Sequence, residues 1–96
     1  MPSIRWSQAA LRDVTRLHDF LDTKSRSAAK RAIQTIRQGV QILASHPEIG
    51  RPVDELPPEF REWIIAFGHG AYVALYHFDG KRVLILTVRH GREAGY

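Results

Sequence analysis

The residues best suited to chemistry stand together near the C-terminus, where Arg89, His90, Arg92, Glu93 and Tyr96 fall within eight positions. A guanidinium group is charged at any physiological pH, imidazole can give or take a proton, and a phenol can donate a hydrogen bond or stack. Such a set suits contact with an anionic partner, or acid–base work on one. Residues 81–96 carry Lys81, Arg82, Arg89 and Arg92 against Glu93 alone, which is three of the four net positive charges. The other eighty positions nearly cancel, at ten basic and nine acidic residues. A basic rim attracts nucleic acid or an acidic polypeptide. On charge alone, solvated arginines at a strand end are the simpler reading.

Five histidines offer other chemistry. His18, His46 and His69 read as surface or capping residues, on a helix, at its end and in a turn. His77 is expected beside Arg82 across a hairpin and near Arg61, and His90 sits in the basic tail. No pair has metal-ligand spacing on one element, so neither metal nor cofactor is expected. There is no cysteine, hence no disulfide framework and no thiolate site. Arg61 cannot pair with Glu62, because neighbours on a strand point to opposite faces. It stands as a further candidate for target contact, with a structural role equally open. Tyr72 and Tyr76 share a strand face; closing one side of a thin sheet is favoured over stacking on bases.

The tail must be positioned by what precedes it. Val83-Leu84-Ile85-Leu86-Thr87-Val88 is apolar on both faces and β-branched, as expected for the central strand of a small sheet, flanked and covered by other elements. Removing residues 92–96 should spare the core, since the apolar run ends at Val88. Ile4-Arg5-Trp6 reads as a short first strand of undetermined orientation. Ser7 can cap a helix in which Ala10, Val14, Leu17 and Leu21 form a stripe widened by Leu11 and Phe20. A second helix begins near Ser25 or Ser27, with Ala29, Ile33, Ile36, Val40 and Leu43 as its stripe. Ala28, Ala32 and Gly39 would let another helix approach, and Pro47 stops the helix. A loop from Pro47 to Pro58 follows.

Three strands then form a meander: Arg61–Phe67, Ala71–Phe78 and Lys81–Arg89, turning at Gly68-His69-Gly70 and Asp79-Gly80. With both turns that tight, one face would carry Trp63, Ile65, Phe67, Val73, Leu75, Leu84, Leu86 and Val88 beneath the helices. The opposite, working face would carry Glu62, Ile64, Ala66, Tyr72, Ala74, Tyr76, Val83, Ile85, Thr87 and Arg89. The expected fold is one α+β domain over 1–96, β-α-α-β-β-β, a helical hairpin on a largely antiparallel four-stranded sheet. No run is apolar and long enough to span a bilayer, and Met-Pro-Ser-Ile-Arg-Trp has no signal-peptide core, so a soluble cytoplasmic protein is expected.

This element order, His46-Pro47-Glu48-Ile49-Gly50-Arg51-Pro52-Val53, Phe60-Arg61-Glu62-Trp63 and Val88-Arg89-His90-Gly91-Arg92-Glu93 together resemble the RelE/ParE toxin superfamily over nearly the whole chain. The resemblance implies the toxin of a type II toxin–antitoxin module, held by a small antitoxin whose acidic, partly disordered segment wraps it. Operator DNA would be reached only through that antitoxin. RelE-like members cut messenger RNA on the ribosome, whereas ParE-like members poison DNA gyrase. RelE-type sites use lysines after the second helix, an arginine in the middle strand, and an arginine with a tyrosine near the C-terminus. Here the loop offers only Arg51, and Val73 stands where the strand arginine is expected. Only Arg92 and Tyr96 fit the terminal part. The resemblance therefore implies a non-enzymatic, ParE-like gyrase inhibitor, with Arg61, Arg89, His90, Arg92, Glu93 and Tyr96 as target contacts. The alternatives are a ribosome-dependent endoribonuclease using His90, Arg92 and Tyr96, or a non-toxic remnant that only binds an antitoxin.

Overall fold

The chain order in the computed structural model, which describes residues 2–92, begins with β1 (Ser3–Trp6), α1 (Gln8–Asp22) and α2 (Arg26–Gln41). A 3₁₀ turn at Ile42–Ala44 prolongs α2. Then come β2 (Arg51–Pro52), β3 (Phe60–Phe67), β4 (Gly70–Phe78) and β5 (Arg82–His90). The five strands form one sheet in the order β1-β5-β4-β3-β2. The expected α+β architecture holds, with one strand more than the sequence suggested. The addition is β2, two residues inside the stretch read as loop, paired antiparallel with Arg61 and Glu62. β4, and not the Val83–Val88 strand expected there, takes the middle place, because β2 adds a strand on the far side; β5 lies inside the sheet between β4 and β1. β1 runs parallel to β5, Ile4 opposite Val83 and Trp6 opposite Ile85. No helix among the described residues is long and apolar enough to cross a membrane.

Both helices cover one face, α1 over β5 and α2 over β3. Each begins at a serine whose hydroxyl accepts a first-turn amide, Ser7 from Ala10 at 3.0 Å and Ser25 from Ala28 at 3.2 Å. These bonds satisfy donors that the helix itself cannot. Ala10, Leu17, Ala32, Ile36, Val40 and Leu43 enter the core with Ile65, Tyr72, Ala74, Tyr76, Val83, Ile85 and Val88. Leu11 and Phe20, expected to widen the α1 stripe, instead stand 52% and 62% exposed. Gly39 admits not a helix but β3. Its missing side chain leaves room for Ile65, and its carbonyl accepts the Trp63 indole N–H at 2.9 Å.

The face assignment is corrected. Tyr72, Ala74, Tyr76, Val83 and Ile85, expected on the working face, lie under the helices with Trp63, Ile65 and Phe67. Two local features cause the exchange. Phe67 pairs with Gly70, so the first turn is Gly68-His69 alone, one residue shorter than expected. That single residue flips β4 relative to β3. Further on, the register of β4 with β5 slips between Leu75 and Tyr76, a bulge at Leu86 that returns Val88 to the core face. The open face therefore carries Glu62, Ile64, Ala66, Val73, Leu75, Leu84, Thr87 and Arg89. In the second hairpin the Asp79 carboxylate accepts the Lys81 and Arg82 amides at 2.8 and 2.7 Å. Those two bonds hold its pKa below the ordinary carboxylate value. The turn sits one residue later than expected and places His77 opposite Leu84, its ring edge-on to Phe60 at 4.9 Å, instead of beside Arg82.

Candidate functional site at the C-terminal rim

β5 ends beside the start of β4, and this junction delivers the rim. Tyr72 lies opposite His90, Val73 opposite Arg89, and the Gly91 amide donates to the Ala71 carbonyl at 2.7 Å. Consecutive strand residues diverge, so Arg89 faces the open side of the sheet while His90 turns towards the helices. The His90 imidazole meets the Tyr72 ring edge-on at 5.6 Å. Its Nδ1 accepts the Arg92 backbone N–H at 3.1 Å, so the ring proton of the neutral form is on Nε2. A Cβ on residue 70 would come within 3.2 Å of Nε2, so glycine there leaves the imidazole its place.

Above His90, side chains of α1 complete a cleft of about 450 Å³ lined by Arg16, Leu17, Phe20, Leu21, Phe67, Tyr72 and His90. Its floor is aromatic, with Phe67 and Tyr72 rings 5.5 Å apart. Arg16, 3.7 Å from the Asp13 carboxylate, stands at its lip. An apolar cleft with one guanidinium in its wall can take an apolar or aromatic side chain flanked by a carboxylate. The sequence signal for its outer wall is Phe20, at the margin of the α1 stripe, yet burial was the natural expectation for it.

The structure places Arg89, His90 and Arg92 at one end of the sheet, Arg89 on its open face and His90 on its helix face, and sets Arg61 elsewhere. Arg61 pairs with Tyr76, four residues along β4 from Tyr72, which is about 13 Å at strand rise. There its guanidinium donates to the Gly50 carbonyl at 2.8 Å. Gly50 also donates its amide to the Tyr76 hydroxyl at 3.0 Å, and that hydroxyl donates to the Pro47 carbonyl at 2.8 Å. Burial pushes the Tyr76 phenol above its ordinary pKa. Arg51, the one loop cation, is 2.7 Å from the Glu62 carboxylate, which is 6% exposed. Arg61 and Arg51 thus both fasten the loop after α2 to β3. Val73, the position set against a strand arginine, is 4% exposed and lies between Ile64 and Arg89 across the sheet. Glu93 and Tyr96 lie outside the described residues. Among the described residues, no group of three or more histidine, aspartate and glutamate side chains is placed to hold a metal ion.

Comparison with known proteins gives a consistent result. Toxin RelE3 of Caulobacter vibrioides is 34% identical over 93 residues, covering 97% of this chain and 98% of its own. Toxin RelE2 of the same organism is 29% identical over 90 residues, covering 94% and 96%. A solved structure described as the chromosomal ParDE TA system from P. aeruginosa has the same fold, with a TM-score of 0.74. Its identity is 24%, and it covers 94% of this chain and 96% of its own. The family model for the ParE toxin of the type II toxin–antitoxin system parDE matches residues 4–95. Matched along nearly its whole length, the chain belongs to the ParE toxin family of type II toxin–antitoxin systems.

Proposed function

We propose that this toxin acts as ParE-like proteins do, by binding DNA gyrase through the C-terminal rim, and that it does not cut RNA. The observation that carries this reading is the state of the cations a nuclease would need. Cleaving RNA through its 2′-hydroxyl needs a base, an acid, and cations against the charge growing on phosphorus. Val73 supplies none, and Arg51 is committed to Glu62. Of the rim residues, His90 turns to the helix side beside Tyr72, while Arg89 turns to the open face of the sheet. The antitoxin that a type II toxin pairs with would contribute an acidic, partly disordered segment, and operator DNA would be reached only through it. Both encounters would take place in the cytoplasm.

The names of the two Caulobacter relatives favour a second reading, an endoribonuclease that works on the ribosome with His90, Arg92 and Tyr96. One pair of assays separates the two. Purified protein should inhibit DNA supercoiling by gyrase and leave messenger RNA intact on translating ribosomes. Codon-specific cleavage in the ribosomal A site, with supercoiling unaffected, would overturn the gyrase reading.

A further inference from the structure

The two long edges of the sheet are finished differently. On the β5 side, β1 pairs only as far as Ile85. Beyond it, α1 covers the exposed backbone. The Ser7 amide donates to the Ile85 carbonyl at 2.9 Å, the Ser7 hydroxyl to the Leu86 carbonyl at 2.9 Å, and the Val88 amide to the Asp13 carboxylate at 3.0 Å. On the β3 side, β2 stops after covering Arg61 and Glu62. The remainder, Trp63-Ile64-Ile65-Ala66-Phe67, has no strand beside it among the described residues and holds no charge, no proline and no bulge on that side. Those are the devices that normally protect an edge.

The direction of the unpaired groups follows from the ladder. The Phe78 amide donates to the Glu59 carbonyl at 2.9 Å, so odd-numbered residues of this stretch bond towards β4 and even-numbered ones point away. The Phe60 amide, bonded outward to Pro57, agrees. Ile64 and Ala66 therefore hold their amides and carbonyls outward, without a protein partner among the described residues. Their side chains, Ile64 at 40% exposure, lie on the open face.

We propose that this edge receives an acidic, extended segment of the antitoxin as a sixth strand, paired to the backbone of Ile64 and Ala66. The proposal rests on the antitoxin partnership given above and assigns it a place. Charge selects the occupant. α2, packed on β3 through Gly39, carries Arg26, Lys30, Arg31 and Arg37 without one carboxylate. A second copy joined β3 to β3 would bring two such helices to the same seam, where like charges oppose association. An acidic strand meets complementary charge and completes the sheet by main-chain bonds.

The test is amide hydrogen exchange on the toxin alone and on the complex co-expressed with the product of the neighbouring gene. In the free toxin, the Ile64 and Ala66 amides should exchange fast while those of Trp63 and Ile65 are protected. In the complex, Ile64 and Ala66 should slow by about 100-fold or more. Ile64→Pro, which removes an outward amide and spares the β4 ladder, should weaken the complex about tenfold or more. Ile64→Val should not. A tight complex in which both amides still exchange fast overturns the strand pairing and leaves the antitoxin reading standing. Absence of any complex overturns both. Protection in the toxin alone that grows with concentration, together with a dimer in sedimentation, assigns the edge to a second copy and overturns the proposal.

Discussion

The hydroxyl of Tyr76 and the amide of Gly50 form a hydrogen bond of 3.0 Å inside the protein, between the middle strand and the loop after α2. The same hydroxyl donates to Pro47, and a Cβ at residue 50 would lie 2.6 Å from it, so glycine is what allows the approach. Tyr76→Phe would leave a buried amide and a carbonyl without their partner. It should cost about 1–3 kcal/mol in urea unfolding. The pH dependence has a defined sign. Burial raises the phenol's pKa in the folded state, so its contribution is complete below the unfolded value, near pH 10, and is lost as pH rises towards the folded value. Between wild type and Tyr76→Phe, the alkaline decline in stability should be steeper for the wild type.

Gly39→Ala tests the seat of α2 on β3. Alanine favours a helix by about 1 kcal/mol over glycine. The added Cβ, however, would lie 2.7–2.9 Å from three atoms of Ile65, a β-branched side chain with little freedom to yield. Overpacking should win, with a net loss of about 1–3 kcal/mol. In an Ile65→Ala background the same change should become neutral or favourable. Equal losses in both backgrounds would refute the steric account.

Ser7→Ala removes one hydroxyl with two duties, since it caps α1 and holds the Leu86 carbonyl at the bulge. We expect about 1–2 kcal/mol of lost stability. Ser25→Ala removes the cap of α2, whose hydroxyl otherwise meets the exposed Ser27 hydroxyl, and should cost less. Thermal melts of the two variants, run side by side, check the order.

Arg92→Ala addresses the rim. Arg92 is exposed and its side chain supports no core residue, so stability should change by about 0.5 kcal/mol or less. If the rim contacts the target, growth inhibition on expression without the antitoxin should fall sharply. A variant that melts normally and arrests growth as strongly as the wild type would remove Arg92 from the contact.

Much of the architecture was legible in order along the chain. Helical spacing gave both helices, Ser7 announced the start of the first, Ser25 or Ser27 that of the second, and the apolar run before Arg89 gave β5, because these signals act over a few residues. The basic rim was legible for the same reason: Arg89, His90 and Arg92 follow directly from the strand that carries them. What the sequence left undetermined depends on how distant segments meet. One residue fewer in the turn after Phe67 decided that Tyr72 and Tyr76 are core, and one extra at Leu86 returned Val88 to the same face, because side chains alternate every residue and any slip exchanges the faces. Arg61 reads as a rim candidate until Gly50 and Tyr76 come from elsewhere in the chain to hold it at the opposite end of the sheet. The parallel pairing of Ile4 with Val83 joins residues 79 apart, and nothing local records it. The cleft over His90 likewise exists only because α1 crosses β5, an arrangement set by packing two layers around one core.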